Sequence, residues 1–388
     1  MKTLVVLCRS PFSSKDGGTY AIRSTLRKLA AYSEVFLAGF GSEFDQPVLG
    51  GIQSCGSLGI AKNTISGFIK SLATHSPYSI AKYADRPAVI KLREIVAKHV
   101  FDVIWYEQTQ AASASYLGGL LQGENRRALH ILRSHNVEYR IVGDRTDLPY
   151  EWLRGPLSIE ARKLQRAELE ILSLMDHVYT ISTQDRDILI HDSPVPLKNI
   201  SYLPVPLETK MQNGEGVRIA GNNVLFVGNC RWRPNRDAAN WIISRLAPCV
   251  EREIPQIYIR IIGTGSDELR PLICTNNIEC VGFVSDLQRE YREAICALAP
   301  IRSGSGINIK VLEALEFGVP VVGTNFARRG IDLAGYLPAD DEEEYVSRIG
   351  ELAHGPAIAE VYSRSIRASL ERRMKSIDSL WENALSPR

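Results

Sequence analysis

Short apolar runs alternate with longer amphipathic stretches along almost the whole chain, and that alternation admits few folds other than parallel sheets flanked by helices. The first half carries Thr3 to Cys8, Val35 to Gly39, Val103 to Tyr106, Leu129 to Arg133 and His177 to Ile181. The second carries Asn223 to Val227, Ile257 to Ile262, Glu279 to Val281, Ile295 to Ala299 and Val319 to Val322. Between the halves lies the polar stretch Pro204 to Ala220, with Pro206, Gly214 and Gly216, which reads as a linker. At 388 residues each half can bury a core of ordinary size. The expected class is α/β: two doubly wound, Rossmann-like domains facing a central cleft, since such sheets bind ligands beyond the carboxyl ends of their strands. The expected bounds are 1–207, 208–364 and a final helix over 365–388. In that helix Leu370, Met374, Ile377 and Leu380 recur at helical spacing and need a surface to pack on. A return to the first domain provides one, and so does a dimer contact.

A formal net charge of +2, without an arginine-rich tail or an aromatic-basic repeat, argues against a nucleic-acid partner. Arg9 interrupts the first apolar run before it reaches the length of a signal peptide or a membrane span. The seven cysteines are odd in number and scattered, with no C-x-x-C pair and no zinc-like spacing, so a reducing cytoplasm and no metal are expected. Residues Ile60 to His99 hold Lys62, Lys70, Lys82, Arg86, Lys91, Arg93 and Lys98 against only Asp85 and Glu94. Interleaved with apolar residues, these cations could rest on anionic lipid; solvated helices give the same pattern.

The segment Arg302 to Thr324, RSGSGINIKVLEALEFGVPVVGT, concentrates the chemistry. Gly304, Ser305 and Gly306 clear side chains from the approach to a helix start, where unpaired amides and the macrodipole favour an anion such as a diphosphate. Lys310 adds a point charge. Glu313, one turn further, has the wrong sign for phosphate but suits the two hydroxyls of a ribose. Gly318 falls where a left-handed helix stop belongs. The competing interpretation is a glycine turn before an ordinary helix with Lys310, Glu313 and Glu316 solvated on one face.

Other loops follow strand-like runs. Asp16-Gly17-Gly18-Thr19 could turn its backbone to a phosphate or sugar, although glycine pairs also serve plain turns. Val227-Gly228-Asn229 leads into Arg231, Arg233 and Arg236, whose forks suit phosphate oxygens, or which form a solvated basic loop. Gly263-Thr264-Gly265-Ser266 lacks the third glycine of a dinucleotide fingerprint, with Glu268 in its place, so a dehydrogenase has little support. His135, in Arg133-Ser134-His135-Asn136, sits at a strand end, a position open to a ligand or to a structural histidine.

Together these pieces resemble the nucleotide-sugar glycosyltransferases of family 4, which have the GT-B fold. The similarity runs over nearly the whole chain and is strongest in FVGNCRWRPNRDA (226–238), IRIIGTGS (259–266), VGFVSDL (281–287) and RSGSGINIKVLEALEFGVPVV (302–322). DGG near the start, RSHNVE (133–138) and DHVYTIS (176–182) carry it in the first half. The resemblance implies an acceptor-side first domain, a donor-binding second domain, and metal-independent transfer of a hexose, with retention, from a nucleoside diphosphate sugar to a glycan or lipid-linked acceptor of cell-surface polysaccharide or glycoconjugate synthesis. No cofactor is implied.

By the same resemblance Glu313 is the second glutamate of an E-x7-E pattern and holds the ribose. Ser305 replaces the first, which leaves the donor sugar to backbone amides around Ile307 and Asn308. Asn229 and Pro234 stand near the family's diphosphate-binding arginine and lysine, so Arg231 or Arg233, with Lys310 and Arg302, become the substitutes. Val284 falls where the base meets backbone atoms, and His135 matches a histidine beside the donor sugar. The replacement at Ser305 also keeps open a catalytically impaired protein that binds nucleotide or acts as a scaffold.

Overall fold

The computed structural model describes residues 1–11, 17–45, 51–122, 127–143, 154–197, 199–207, 210, 222–304, 306–353 and 356–385. The chain divides into two compact units, Met1–Val205 with Leu380–Arg388, and Pro206–Ser379.

The first unit is built on a seven-stranded sheet, all of whose neighbours run parallel. Its strands are β1 (Lys2–Leu7), β2 (Glu34–Phe40), β3 (Gln53–Gly59), β4 (Val103–Glu107), β5 (Leu129–Ser134), β6 (His177–Thr180) and β7 (Ile200–Tyr202). Their spatial order is β3-β2-β1-β4-β5-β6-β7. Strands covered on both faces need continuous apolar sequence, and β4, buried at every residue, reads VIWYE. Leu4, Val6, Phe36, Ala38, Ile104, Tyr106 and Leu132 form the centre of one core, packed against Leu92, Ile95, Leu164 and Leu172 from the flanking helices.

The second unit repeats the plan with six parallel strands: β8 (Asn223–Val227), β9 (Tyr258–Ile262), β10 (Ile278–Gly282), β11 (Ala294–Ala299), β12 (Val321–Gly323) and β13 (Tyr336–Pro338), in the order β10-β9-β8-β11-β12-β13. In both sheets the order reverses beside the first strand. The reversal lies between β1 and β4 in one, and between β8 and β11 in the other, and the crevice at that switch point is where such sheets take ligands.

Three strands have no apolar run to announce them. Strands β3, β7 and β13 all lie at sheet edges, where one flank is open and short or polar sequence suffices. The final helix also differs from expectation, running Pro356–Leu385 and beginning before residue 365. Its first part packs within the second unit. Ser369 Oγ accepts the Ala334 N–H at 3.0 Å, and buried Ile366 lies against Gly335, whose φ of +87° and lack of a Cβ leave room for it. Only from Leu380 does the helix count with the first unit. There the buried Trp381 donates its indole N–H to Pro204 O at 3.0 Å and stacks on Trp105 at 5.8 Å.

Candidate functional site

At the switch point of the second sheet, Gly228 follows β8 and β11 leads into the loop before the helix Ile309–Glu316. The β8 and β9 loops touch: Gly228 N–H donates to Ile262 O at 2.9 Å and Cys230 N–H to Thr264 O at 2.8 Å. A Cβ on Gly263, where φ is +130°, would lie 2.1 Å from Gly228 O, so only glycine fits. Beneath this turn the buried Asn235, early in the helix Arg233–Trp241, donates from Nδ2 to Asn229 O at 3.0 Å. Its Oδ1 accepts from the Lys310 ammonium. The same ammonium lies 4.9 Å over the Phe226 ring. Burial pushes the Lys310 amine down to about 7.

Helical spacing places Glu313 one turn beyond Lys310. Its carboxylate is 25% exposed and lies 3.7 Å from Lys210 Nζ, which pairs more closely, at 3.1 Å, with the fully buried Glu316. Burial raises the Glu313 carboxyl, and Lys210 works against the rise. The helix stops as its sequence indicates: Gly318 has φ +72°, its N–H reaches Leu315 O at 2.8 Å, and Val319 N–H reaches Ala314 O at 2.9 Å.

The loop ahead of this helix adopts left-handed backbone at Gly304 (φ +117°) and Gly306 (φ +72°); Ser305 lies outside the described residues. Gly304 faces Trp232, whose ring a Cβ would approach to 3.3 Å. Asn308 spends its side-chain amide on Ala327 O at 3.1 Å and leaves the helix start without a side-chain cap, so its first amides are open to a ligand. Ile307 is half-buried beside it. Val284, also half-buried, follows Gly282, which ties the β10 loop to the β9 loop through Gly263 N–H at 2.8 Å and Ser266 Oγ at 2.9 Å.

The remaining cations have other partners. Arg231 places Nε (3.1 Å) and Nη2 (2.9 Å) on one oxygen of Glu268, and Arg233 pairs with Asp237 at 3.2 Å. Both pairs are exposed and cost little to exchange for a phosphate. Arg302 donates to Asp340 O and lies 5.7 Å over Trp241. Of the expected donor-site residues, Gly228, Asn229 and Lys310 meet directly through Asn235, with Glu313 one turn away. Asn235 itself was legible only as part of a basic loop, because its role depends on burial. Arg329, which donates to Gly304 O at 3.4 Å, carried no signal either.

In the first unit, Gly17 opens the helix Gly17–Ala30, and Gly18 lies against the Arg9 guanidinium, where a Cβ would fall 1.5 Å from Nη2. Asp16 lies outside the described residues. His135, 4% exposed after β5, bonds through Nε2 to Glu107 Oε2 at 2.5 Å. Glu107 takes the Trp105 indole N–H on Oε1 at 2.8 Å and lies 3.7 Å from the fully buried Arg133. Burial raises the Glu107 carboxyl, but His135 and Arg133 more than reverse this and hold it below its ordinary value. For His135 burial prevails over Glu107 and lowers the imidazole, favouring the neutral ring. Arg133 donates to Thr25 Oγ1 at 2.8 Å and lies 5.3 Å over the Trp381 ring. The next residue after Glu107, Gln108, has φ +76°, which is the one positive φ outside glycine among the described residues. Such strain gathers at functional loops. Glu107 and Arg133 carry no functional signal in the sequence, since a charged residue within or ending an apolar run reads as a boundary.

Residues 221–354 match the family model described as glycosyl transferases group 1. The fold of the chain is GT-B. A protein of Klebsiella pneumoniae described as an uncharacterized 44.6 kDa protein in the cps region is 22% identical over 85% of this chain and 84% of its own. Among solved structures, sucrose-phosphate synthase from Thermosynechococcus elongatus superposes with a TM-score of 0.70 at 14% identity, over 99% of this chain and 97% of that one. Anabaena Alr3699/HepE, in complex with UDP and glucose, gives 0.66 at 12% identity with both chains fully covered. For TarM the score is 0.60 at 12% identity, over 77% of this chain, which spans 58% of TarM's length. No helix among the described residues is long and apolar enough to cross a membrane.

Proposed function

We propose that this chain is a glycosyltransferase that moves a hexose, with retention of configuration and without a metal ion, from a nucleoside diphosphate sugar to a glycan or lipid-linked acceptor of cell-surface polysaccharide synthesis. The observation that carries this reading is the Lys310 ammonium on Asn235 at the β8–β11 switch point, beside an uncapped helix start. As the glycosidic bond breaks, negative charge grows on the β-phosphate. A cation and amides already in place stabilise that charge more in the transition state than in the ground state. Lys310 supplies the cation, and Arg231 or Arg233 joins it by leaving its exposed carboxylate partner. Glu313 accepts the ribose hydroxyls, backbone at Val284 meets the base, and the amides around Gly304, Gly306, Ile307 and Asn308 hold the diphosphate and sugar.

The cps-region relative supports a polysaccharide acceptor, and the UDP held by HepE makes UDP the first nucleotide to try. Thermal unfolding with UDP, GDP, ADP and TDP in the presence of chelator tests the donor site. A nucleotide at about 100 times its dissociation constant adds about 2.7 kcal/mol. Stabilisation by one of the four supports the reading, and stabilisation by none removes it.

Contact with the inner face of the cell membrane belongs to the same proposal. The helix Ile65–Leu72 exposes Ile65 (81%) and Ile69 (60%), one turn apart, with Ile60 also exposed and Lys62 and Lys70 beside them. Such a face suits anionic lipid. Cosedimentation with vesicles containing anionic lipid, lost in an Ile65→Ser, Ile69→Ser double variant, checks it.

A further inference from the structure

The loop ahead of the helix Ile309–Glu316 meets an aromatic ring from the loop after β8. A Cβ on Gly304 would fall 3.3 Å from Trp232 Cη2, 3.6 Å from Cζ2 and 3.7 Å from Pro234 Cγ, so the benzo edge of the indole lies against the glycine backbone. The main chain beneath the indole is held on both sides: Trp232 N–H donates to Asn229 O at 3.1 Å, and Trp232 O accepts from the N–H groups of Asn235 and Arg236, each at 3.1 Å. Asn235 is the residue that accepts from the Lys310 ammonium. Indole, cation and glycine loop are therefore fixed together within the second unit. Trp105 and Trp381 are fully buried, whereas Trp232 is 45% exposed.

A diphosphate held by this loop and the open helix start brings the groups esterified to it within reach of the uncovered indole. A nucleoside diphosphate sugar carries two such groups. Glu313 and Val284 take the nucleoside in the proposed donor site, which leaves the sugar for Trp232; the inference rests on that site. A pyranose suits the surface, because its C–H groups form an apolar face whose partial positive charge meets the negative face of an aromatic ring. We propose that Trp232 is a specificity-determining residue whose indole stacks on the C–H face of the donor's hexopyranose. The contact exists with the nucleotide sugar and is lost with the nucleoside diphosphate that remains after transfer, so it favours exchange of product for donor.

Calorimetry on the full chain with UDP, GDP, ADP and TDP, and with the glucose conjugate of each, separates this role from a structural one. For the pair whose nucleotide binds the wild type, Trp232→Ala should raise the dissociation constant of the conjugate about 10-fold, the loss expected for roughly 50 Å² of apolar contact, while that of the nucleotide stays within about twofold. Trp232→Phe keeps an aromatic face and should recover most of the affinity. Fluorescence gives a second readout. An exposed indole covered by a sugar emits further to the blue, so the conjugate should shift wild-type emission more than the nucleotide does, and Trp232→Phe should abolish the difference. Equal changes for nucleotide and conjugate in Trp232→Ala, or no change in either, overturn the proposal. Wild-type emission that does not distinguish the two ligands overturns it as well, and decides alone if the alanine variant fails to fold. Failure of all four nucleotides to bind the wild type is instead a failure of the donor site, and the inference falls with it.

Discussion

The Lys310 ammonium reaches from the helix after β11 to the side-chain oxygen of Asn235 in the helix after β8, so one hydrogen bond closes the switch point of the second sheet. Asn235 in turn holds Asn229 O. The loop after β8 and the helix after β11, more than seventy residues apart in the chain, meet at this contact.

Removing that cation should weaken nucleotide binding and leave the fold intact. Loss of a charged hydrogen bond costs about 1.5 to 3 kcal/mol, which for Lys310→Met corresponds to a roughly 10- to 150-fold rise in the UDP dissociation constant by calorimetry. The effect depends on pH. Burial lowers the amine to about 7, and only its protonated form attracts a diphosphate. Binding therefore takes up a proton above neutrality. Wild-type affinity should fall as pH rises from 7 to 9, and Lys310→Met should flatten the profile.

Glu313→Ala should also raise the dissociation constant of UDP, again by about 1.5 to 3 kcal/mol if the carboxylate holds two ribose hydroxyls. Lys210 keeps its closer partner Glu316 at 3.1 Å, so thermal stability without ligand should change little. Unchanged affinity in a folded variant would take Glu313 out of the site.

Trp381 is fully buried between Trp105 and Arg133. Trp381→Ala should destabilise the protein by about 3 to 5 kcal/mol in urea unfolding, with Trp381→Phe recovering much of the loss. A loss under 1 kcal/mol for the alanine variant would mean that the last helical turn is dispensable.

Glu168 predicts a pH profile of stability. It is fully buried, accepts from Thr109 Oγ1 at 2.9 Å and Tyr139 N–H at 3.2 Å, and is pushed from 4.5 up to about 8 by burial and by Glu138. The folded state thus holds a proton that the unfolded chain releases between those values. Its contribution is complete below 4.5, declines as pH rises toward 8, and is lost above. Glu168→Gln should therefore show a smaller decrease in melting temperature between pH 6 and 9 than the wild type.

Much of this molecule is legible along the chain. Central strands such as β1, β4 and β8 are buried on both faces and must be apolar, so Thr3 to Cys8, Val103 to Tyr106 and Asn223 to Val227 announce themselves. Gly318 and the glycines around Ser305 are readable because left-handed backbone leaves few alternatives to glycine. Edge strands β3, β7 and β13 are silent because only one neighbour constrains them.

The sequence by itself determined two parallel-sheet units and the glycine-flanked helix start ahead of Lys310 and Glu313, because hydrophobic period and turn geometry are local properties. Tertiary structure decided which cation closes the switch point, that Arg302 turns to Asp340 and Trp241, and that Glu107, Arg133 and Trp381 stand behind His135. Strand register and burial set those relationships. Both join residues distant in the chain, and no window of sequence contains them.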